Sequence, residues 1–155
     1  MKKNLSYFMN EIKEEIVKAP APKSFKDENG DVIEMEINVL SHEKIRKIQD
    51  NYRKRSVYFD KKGNPLISGS EVVMKTDYDA NKAFRHIMAE ALVYPDLKSQ
   101  EMMDFYKCYD ITEMPYKVFR KSSDYDHVFK TVMTTLGIIT DDNESEEDPV
   151  EHAKN

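Results

Sequence analysis

Between residues 77 and 137 large apolar side chains return every three or four positions, and that spacing constrains the fold more than any other feature of the chain. Phe84, Ile87, Met88, Ala91 and Leu92 stand at i, i+3, i+4, i+7 and i+8, along one stripe of a helix, with Lys82, Arg85, His86 and Glu90 off its centre. Thr76 or Asp77 is placed to cap this helix, and Pro95 to stop it after Tyr94. A second stripe follows in Tyr125, Val128, Phe129, Val132, Met133 and Leu136. Ser122 or Ser123 is its expected cap, and Gly137 sits where a left-handed residue closes a helix. Between the two, residues 99–108 and 112–121 read as shorter helices with Met102, Met103, Phe105, Tyr106, Met114, Val118 and Phe119 to bury.

Upstream, residues 4–18 read as an amphipathic leader helix, because Leu5, Phe8, Met9, Ile12, Ile16 and Val17 share a helical face opposite Glu11, Lys13, Glu14 and Glu15. Ala19-Pro20-Ala21-Pro22 cannot continue a helix and would hold the leader off the rest, so its apolar face is open to its own domain or to a partner. From residue 25 to 40 the period changes to alternation, with Ile33, Met35, Ile37 and Val39 against Glu34, Glu36 and Asn38. Asn29-Gly30 then supplies the turn of a β-hairpin. Ser41 caps a helix running to about residue 55 with Ile45, Ile48 and Tyr52 inward; residues 57–59, 66–67 and 72–74 read as short strands around a Lys61-Lys62-Gly63-Asn64-Pro65 turn. The expected fold is therefore mainly α-helical with a small antiparallel β-hairpin near the N-terminus. Residues 1–22 form the leader and link, 23–140 a single domain, and 141–155 an acidic tail.

Charge divides the chain unevenly. The net −5 contains a segment, residues 141–155, with seven acids and one base; that segment is −6, which leaves +1 for everything before it. A like-charge block without aromatic residues is expected to be a solvated, disordered tail, or else a docking segment for a basic partner. The opposite sign gathers in residues 44–62, eight bases against two acids with Tyr52, Tyr58 and Phe59 interleaved, which admits a nucleic-acid surface as the alternative to a solvated face.

Nothing in the sequence assembles a reaction centre. His42, His86, His127 and His152 lie far apart with no metal-ligand spacing, and four glycines are too few for a phosphate cradle. Residues 27–31 imitate a calcium loop but have glycine at the fourth place and Asn38 at the twelfth. Asp77-Tyr78-Asp79 and Asp124-Tyr125-Asp126 stand where helix starts favour carboxylates. Cys108, the single cysteine, reads as a small buried hydrophobe, as in a reducing compartment. No apolar run of about 20 residues and no apolar signal core is present, so the expected protein is soluble and intracellular. No cofactor and no metal are expected, and no catalytic residue.

The order of these segments carries a resemblance. Phe25-Lys26-Asp27-Glu28-Asn29-Gly30 leads to Ile37-Asn38-Val39-Leu40-Ser41; Asp79 opens a long helix ending in Val93-Tyr94-Pro95-Asp96-Leu97-Lys98; residues 102–109 follow; and Ser123-Asp124-Tyr125 enters a helix closed by Leu136-Gly137. This arrangement resembles the XkdN-like tail assembly chaperones of long-tailed phages and phage-like elements. The resemblance implies a non-enzymatic protein of the host bacterial cytoplasm that coats the tape-measure protein, helps recruit tail-tube subunits and is absent from the mature virion. In several such proteins a frameshift adds a second domain. The residues expected to meet a partner, or a second copy of the chain, are Leu5, Phe8, Met9, Ile12 and Ile16 of the leader and Met102, Met103 and Phe105. A small nucleic-acid-binding or regulatory protein using residues 44–62 is the alternative.

Overall fold

The computed structural model describes residues 2–11 and 13–140, and the acidic segment 141–155 lies outside them, as does Ile12. The fold is α+β rather than mainly helical, with about 37% helix and 22% strand in three small sheets. In order, a 3-10 turn Leu5–Phe8 precedes β1 (Ile16–Pro20), β2 (Glu34–Asn38), α1 (His42–Asp50) and β3 (Arg53–Val57). Then come β4 (Ile67–Ser68), β5 (Glu71–Val72), β6 (Met74–Tyr78), α2 (Ala80–Ala91) and β7 (Leu92–Tyr94). Helices α3 (Gln100–Tyr106), α4 (Met114–Val118) and α5 (Ser122–Thr135) complete it.

The expected leader helix is the main correction. Residues 16–20 are an edge strand, antiparallel to β2 with Val17 opposite Ile37 and Ala19 opposite Met35. Ile16, Lys18 and Pro20 then face away from the core. The helical spacing of Leu5, Phe8, Met9 and Ile16 is real in the sequence, but a helix there would leave β2 without its outer partner. Pro20 is tolerated because an edge strand has amides that no ladder uses. Only the 3-10 turn, capped by the Asn4 side chain on the Ser6 amide at 2.9 Å, keeps helical character.

The first long stripe also ends differently. Asp79, rather than Thr76 or Asp77, caps α2 through the Lys82 amide at 3.1 Å, and Asp77 belongs to β6. Leu92, Val93 and Tyr94 leave the helix as β7, paired with β2, before the cis peptide at Pro95. Strand β2 is thus central in β1-β2-β7, its Met35 and Ile37 fully buried while Glu34 faces solvent.

Helix α2 is the hub. Ala83, Ile87, Met88, Ala89 and Ala91 are all fully buried, so it is covered on more than one side, by the sheet, α1, α4 and α5. Phe84 meets Phe129 of α5 edge to face at 6.1 Å. Burial of side chains such as Ile87, Met88, Val128 and Met133 stabilises the fold by roughly 1.5–3 kcal/mol each. Helix α5 closes as its sequence indicates. Gly137, at φ +77°, donates to the Thr134 carbonyl while the Ile138 amide reaches Met133, a Schellman arrangement. No serine hydroxyl caps its start, where Lys121 stands in the N-cap position.

Candidate functional site

Two loops share one local design. Asp27 accepts the amides of Asn29 and Asp31 through Oδ1 at 2.9 and 3.0 Å, and Asp60 accepts those of Lys62 and Asn64 at 2.9 Å each. In both, a glycine at φ +85° lies three residues on and donates back to the aspartate carbonyl. Each aspartate therefore organises its own turn, and only the glycine takes positive φ, where the Asn29-Gly30 pair had suggested two such residues.

The first of these turns belongs to the connection between β1 and β2, and that connection walls an apolar groove of about 250 Å³. Ala21, Phe25, Ile33 and Met35 form one side; Tyr94 and Pro95 follow from β7; Met102 and Tyr106 come from α3, and Val118 and Phe119 from the end of α4. Phe25 and Phe119 meet edge to face at 5.6 Å. A hollow of about 410 Å³ continues beside it, bounded by Phe25, Val118, Arg120, Lys121 and Asp124. Apart from two tyrosines the groove has no titratable lining, and its volume suits one or two large side chains of a docked segment.

The wall formed by α4 is held from beneath by Arg85, which the helical stripe had placed off-centre but which is buried. Its Nε donates to the Thr112 carbonyl at 2.8 Å, Nη1 donates to the Tyr116 hydroxyl at 3.0 Å, and its guanidinium lies over the Tyr116 ring at 4.6 Å. Glu113 stands 3.8 Å from Nη2. The Thr112 hydroxyl and amide both donate to Asp110, and these bonds hold that carboxyl below its usual range. Burial, reinforced by Tyr116, pushes the Tyr125 hydroxyl up to about 12. On the other side of α2 the Tyr52 hydroxyl shares a 2.6 Å hydrogen bond with His86 Nδ1. His86 approaches Glu90 at 3.6 Å, and Lys98 donates to Glu90 at 3.0 Å. Burial pushes the Glu90 carboxyl up, but the Lys98 bond and the charges of Lys98, Lys44 and His86 outweigh it and hold it below its usual range. These polar groups are engaged in joining elements of the fold.

Of the residues expected to meet a partner, Met102 lines the groove, Met103 is half-buried against the core, and Phe105 is 76% exposed on the outer side of α3, against Tyr106. Leu5, Phe8 and Met9 are 69%, 85% and 71% exposed, and Ile16 is on the outward face of β1; none of the four lines the groove. Ile12 lies outside the described residues. The groove residues from the β1–β2 connection carried no sequence signal as a group, since they meet α3 and α4 only in the folded chain. The i, i+4 pair Met102 and Tyr106 was the legible part.

Residues 44–62 are divided between α1 and a ribbon built from β3 to β6. Tyr52 points inward to His86, and the Lys75 ammonium lies 5.5 Å from the Tyr58 ring centroid. None of residues 53–78 is buried, and Phe59, Ile67, Val72 and Met74 are exposed apolar side chains along the ribbon. Among the described residues no group of three or more His, Cys, Asp or Glu side chains is gathered to hold a metal ion, and no helix is long and apolar enough to cross a membrane.

Comparison with known proteins gives a consistent picture. The family described as phage XkdN-like tail assembly chaperone protein matches residues 5–154. The XkdN protein of the phage-like element PBSX from Bacillus subtilis strain 168 is 24% identical over 147 residues, 94% of this chain and 92% of that relative. The YqbN protein of the same organism is 25% identical over 146 residues, 93% and 91% of the two chains. The crystal structure of YqbN superimposes with a TM-score of 0.66 at 20% identity, covering 88% of this chain and 98% of that one.

Proposed function

The chain belongs to the XkdN-like family of phage tail assembly chaperones, and from that premise we propose that it binds an apolar segment of the tape-measure protein or of a tail-tube subunit, holding it until the tail assembles. The observation that carries this reading is the apolar groove between the β1–β2 connection, α3 and α4. An amphipathic helix laid across it inserts one or two large side chains between Met102, Tyr106 and Phe119, and the neighbouring Arg120, Lys121 and Asp124 orient its polar flank. Methionine suits such a wall because its unbranched, polarisable side chain repacks against different apolar shapes. The exposed Leu5, Phe8 and Met9 supply a second apolar contact next to the domain. The protein acts without chemistry of its own, in the host bacterial cytoplasm, and leaves before the virion is complete.

The test is co-expression with candidate tape-measure and tail-tube proteins, followed by co-purification. Met102→Glu places a charge in the groove and should abolish recovery of the partner while the melting temperature falls only slightly, Met102 being half-buried. Phe105→Ser, on the outer side of the same helix, should leave recovery unchanged. Full recovery by Met102→Glu would move the binding face elsewhere, and detection of the protein in purified particles by mass spectrometry would refute the departure step.

A further inference from the structure

The ribbon from β3 to β6 is basic in a way the rest of the fold does not answer. Residues 53–78 contain Arg53, Lys54, Arg55, Lys61, Lys62 and Lys75 against Asp60, Glu71 and Asp77, six bases and three acids, a net +3. Two of those acids are already engaged: Asp60 accepts the amides of its own turn, and Asp77 takes the Ser56 hydroxyl at 3.4 Å and stands 4.0 Å from Lys75. Arg53 is held between Asp50 and the Tyr78 ring. Lys54, Arg55, Lys61 and Lys62 are exposed and have no acidic partner among the described residues.

The chain carries the complementary charge itself. Residues 141–155, outside the described residues, have a net −6, and without them the chain is +1. The eleven residues from Asp141 to Glu151 span at most about 40 Å, against a radius of gyration near 15 Å for a domain of this size. A tethered segment meets a face of its own domain at an effective concentration on the order of millimolar. Single exposed ion pairs are weak, and several together are required. Seven acids against four unpaired bases meet that condition.

We propose that the basic stretch of the ribbon, residues 53–62, docks the chain's own acidic segment 141–151, which thereby keeps other polyanions off the ribbon. This goes beyond the chaperone reading and does not depend on it, since the groove shares no residue with the ribbon. The contact is electrostatic and intramolecular. Salt weakens it, because the screening length shrinks from about 20 Å at ~20 mM to about 4 Å at ~500 mM.

The experiment uses the full chain beside a variant in which Asp141, Asp142, Glu144, Glu146, Glu147, Asp148 and Glu151 are changed to Asn or Gln. Backbone amide shifts of residues 53–62 should differ between the two at low salt, and the difference should vanish at high salt. A fluorescent single-stranded oligothymidine serves as the probe polyanion. The neutralised variant should bind it on the order of tenfold more tightly than the wild type at low salt. Adding Lys54→Glu, Arg55→Glu, Lys61→Glu and Lys62→Glu should remove the gain while the amide shifts of α2 and α5 stay in place. Shift differences centred on Arg120 and Lys121, or no difference at all, would overturn the proposal, as would equal oligonucleotide affinity of wild type and neutralised variant.

Discussion

Replacing Arg85 by methionine isolates the clamp beneath the groove, because methionine retains most of the aliphatic stem and loses every donor. The bond from Nε to the Thr112 carbonyl is buried and charge-assisted, worth about 1.5–3 kcal/mol. The stacking on Tyr116 adds about 0.5–1 kcal/mol. Glu113, with a half-exposed side chain 3.8 Å away, contributes no more than a few tenths of a kcal/mol, as exposed pairs do. The Tyr116 hydroxyl can turn to water, since that residue is 46% exposed. Against these stands the desolvation cost of the guanidinium, which methionine does not incur, so the net loss should be about 2–3 kcal/mol. For a chain of this length that corresponds to a fall of about 5–10 °C in melting temperature. Urea denaturation followed by circular dichroism is the assay, with the midpoint lowered and the slope unchanged. Arg85→Lys should recover less than half of the loss, because a single ammonium cannot serve acceptors arranged around a planar fork. An Arg85→Met protein within about 0.5 kcal/mol of the wild type, the scatter of surface substitutions, would refute the clamp.

Met88→Asp should leave the protein unfolded at room temperature, since Met88 is fully buried and an unpaired carboxylate there costs several kcal/mol, while Lys82→Asp should change stability by less than about 0.5 kcal/mol; thermal melts of both decide it. Gly137→Ala should cost about 1 kcal/mol in a urea titration, because nothing crowds a Cβ there and only the positive φ of +77° is strained. Tyr125 keeps its proton to about pH 12 when folded and to about pH 10 when unfolded. Its contribution to stability is therefore fully present below pH 10 and lost as pH rises from 10 to 12, and Tyr125→Phe should flatten that decline, as read by alkaline denaturation.

Helix α2 was legible from its amphipathic stripe, and helix α5 from a stripe that agrees with the acidic Asp124 in its first turn and with Gly137 at its end. The places of the turns at Gly30 and Gly63 were legible, but not the Asp27 and Asp60 side chains that organise them. What misled was spacing without context. Leu5, Phe8, Met9 and Ile16 are compatible with a helix, yet the shorter alternation of Val17 and Ala19 against Ile16, Lys18 and Pro20 is what β2 selects. Leu92 continued the helical stripe on paper and instead begins β7. Arg85 read as a base off the centre of the stripe and is the buried tie between α2 and the α4 segment.

The sequence by itself determined the helices of the core, the turns, the acidic segment and, through the order of its motifs, the family. Those follow from near-neighbour physics, in which a residue's partners lie within about four positions. Only the tertiary structure decided that residues 16–20 and 92–94 are strands, that residues 53–78 stand outside the core as a ribbon, and that Phe25, Met35, Tyr94, Met102 and Phe119 face a common groove. The reason is that a strand owes its stability to hydrogen bonds with a partner far along the chain, so Ile16–Pro20 has no preference strong enough to declare itself until Glu34–Asn38 is beside it.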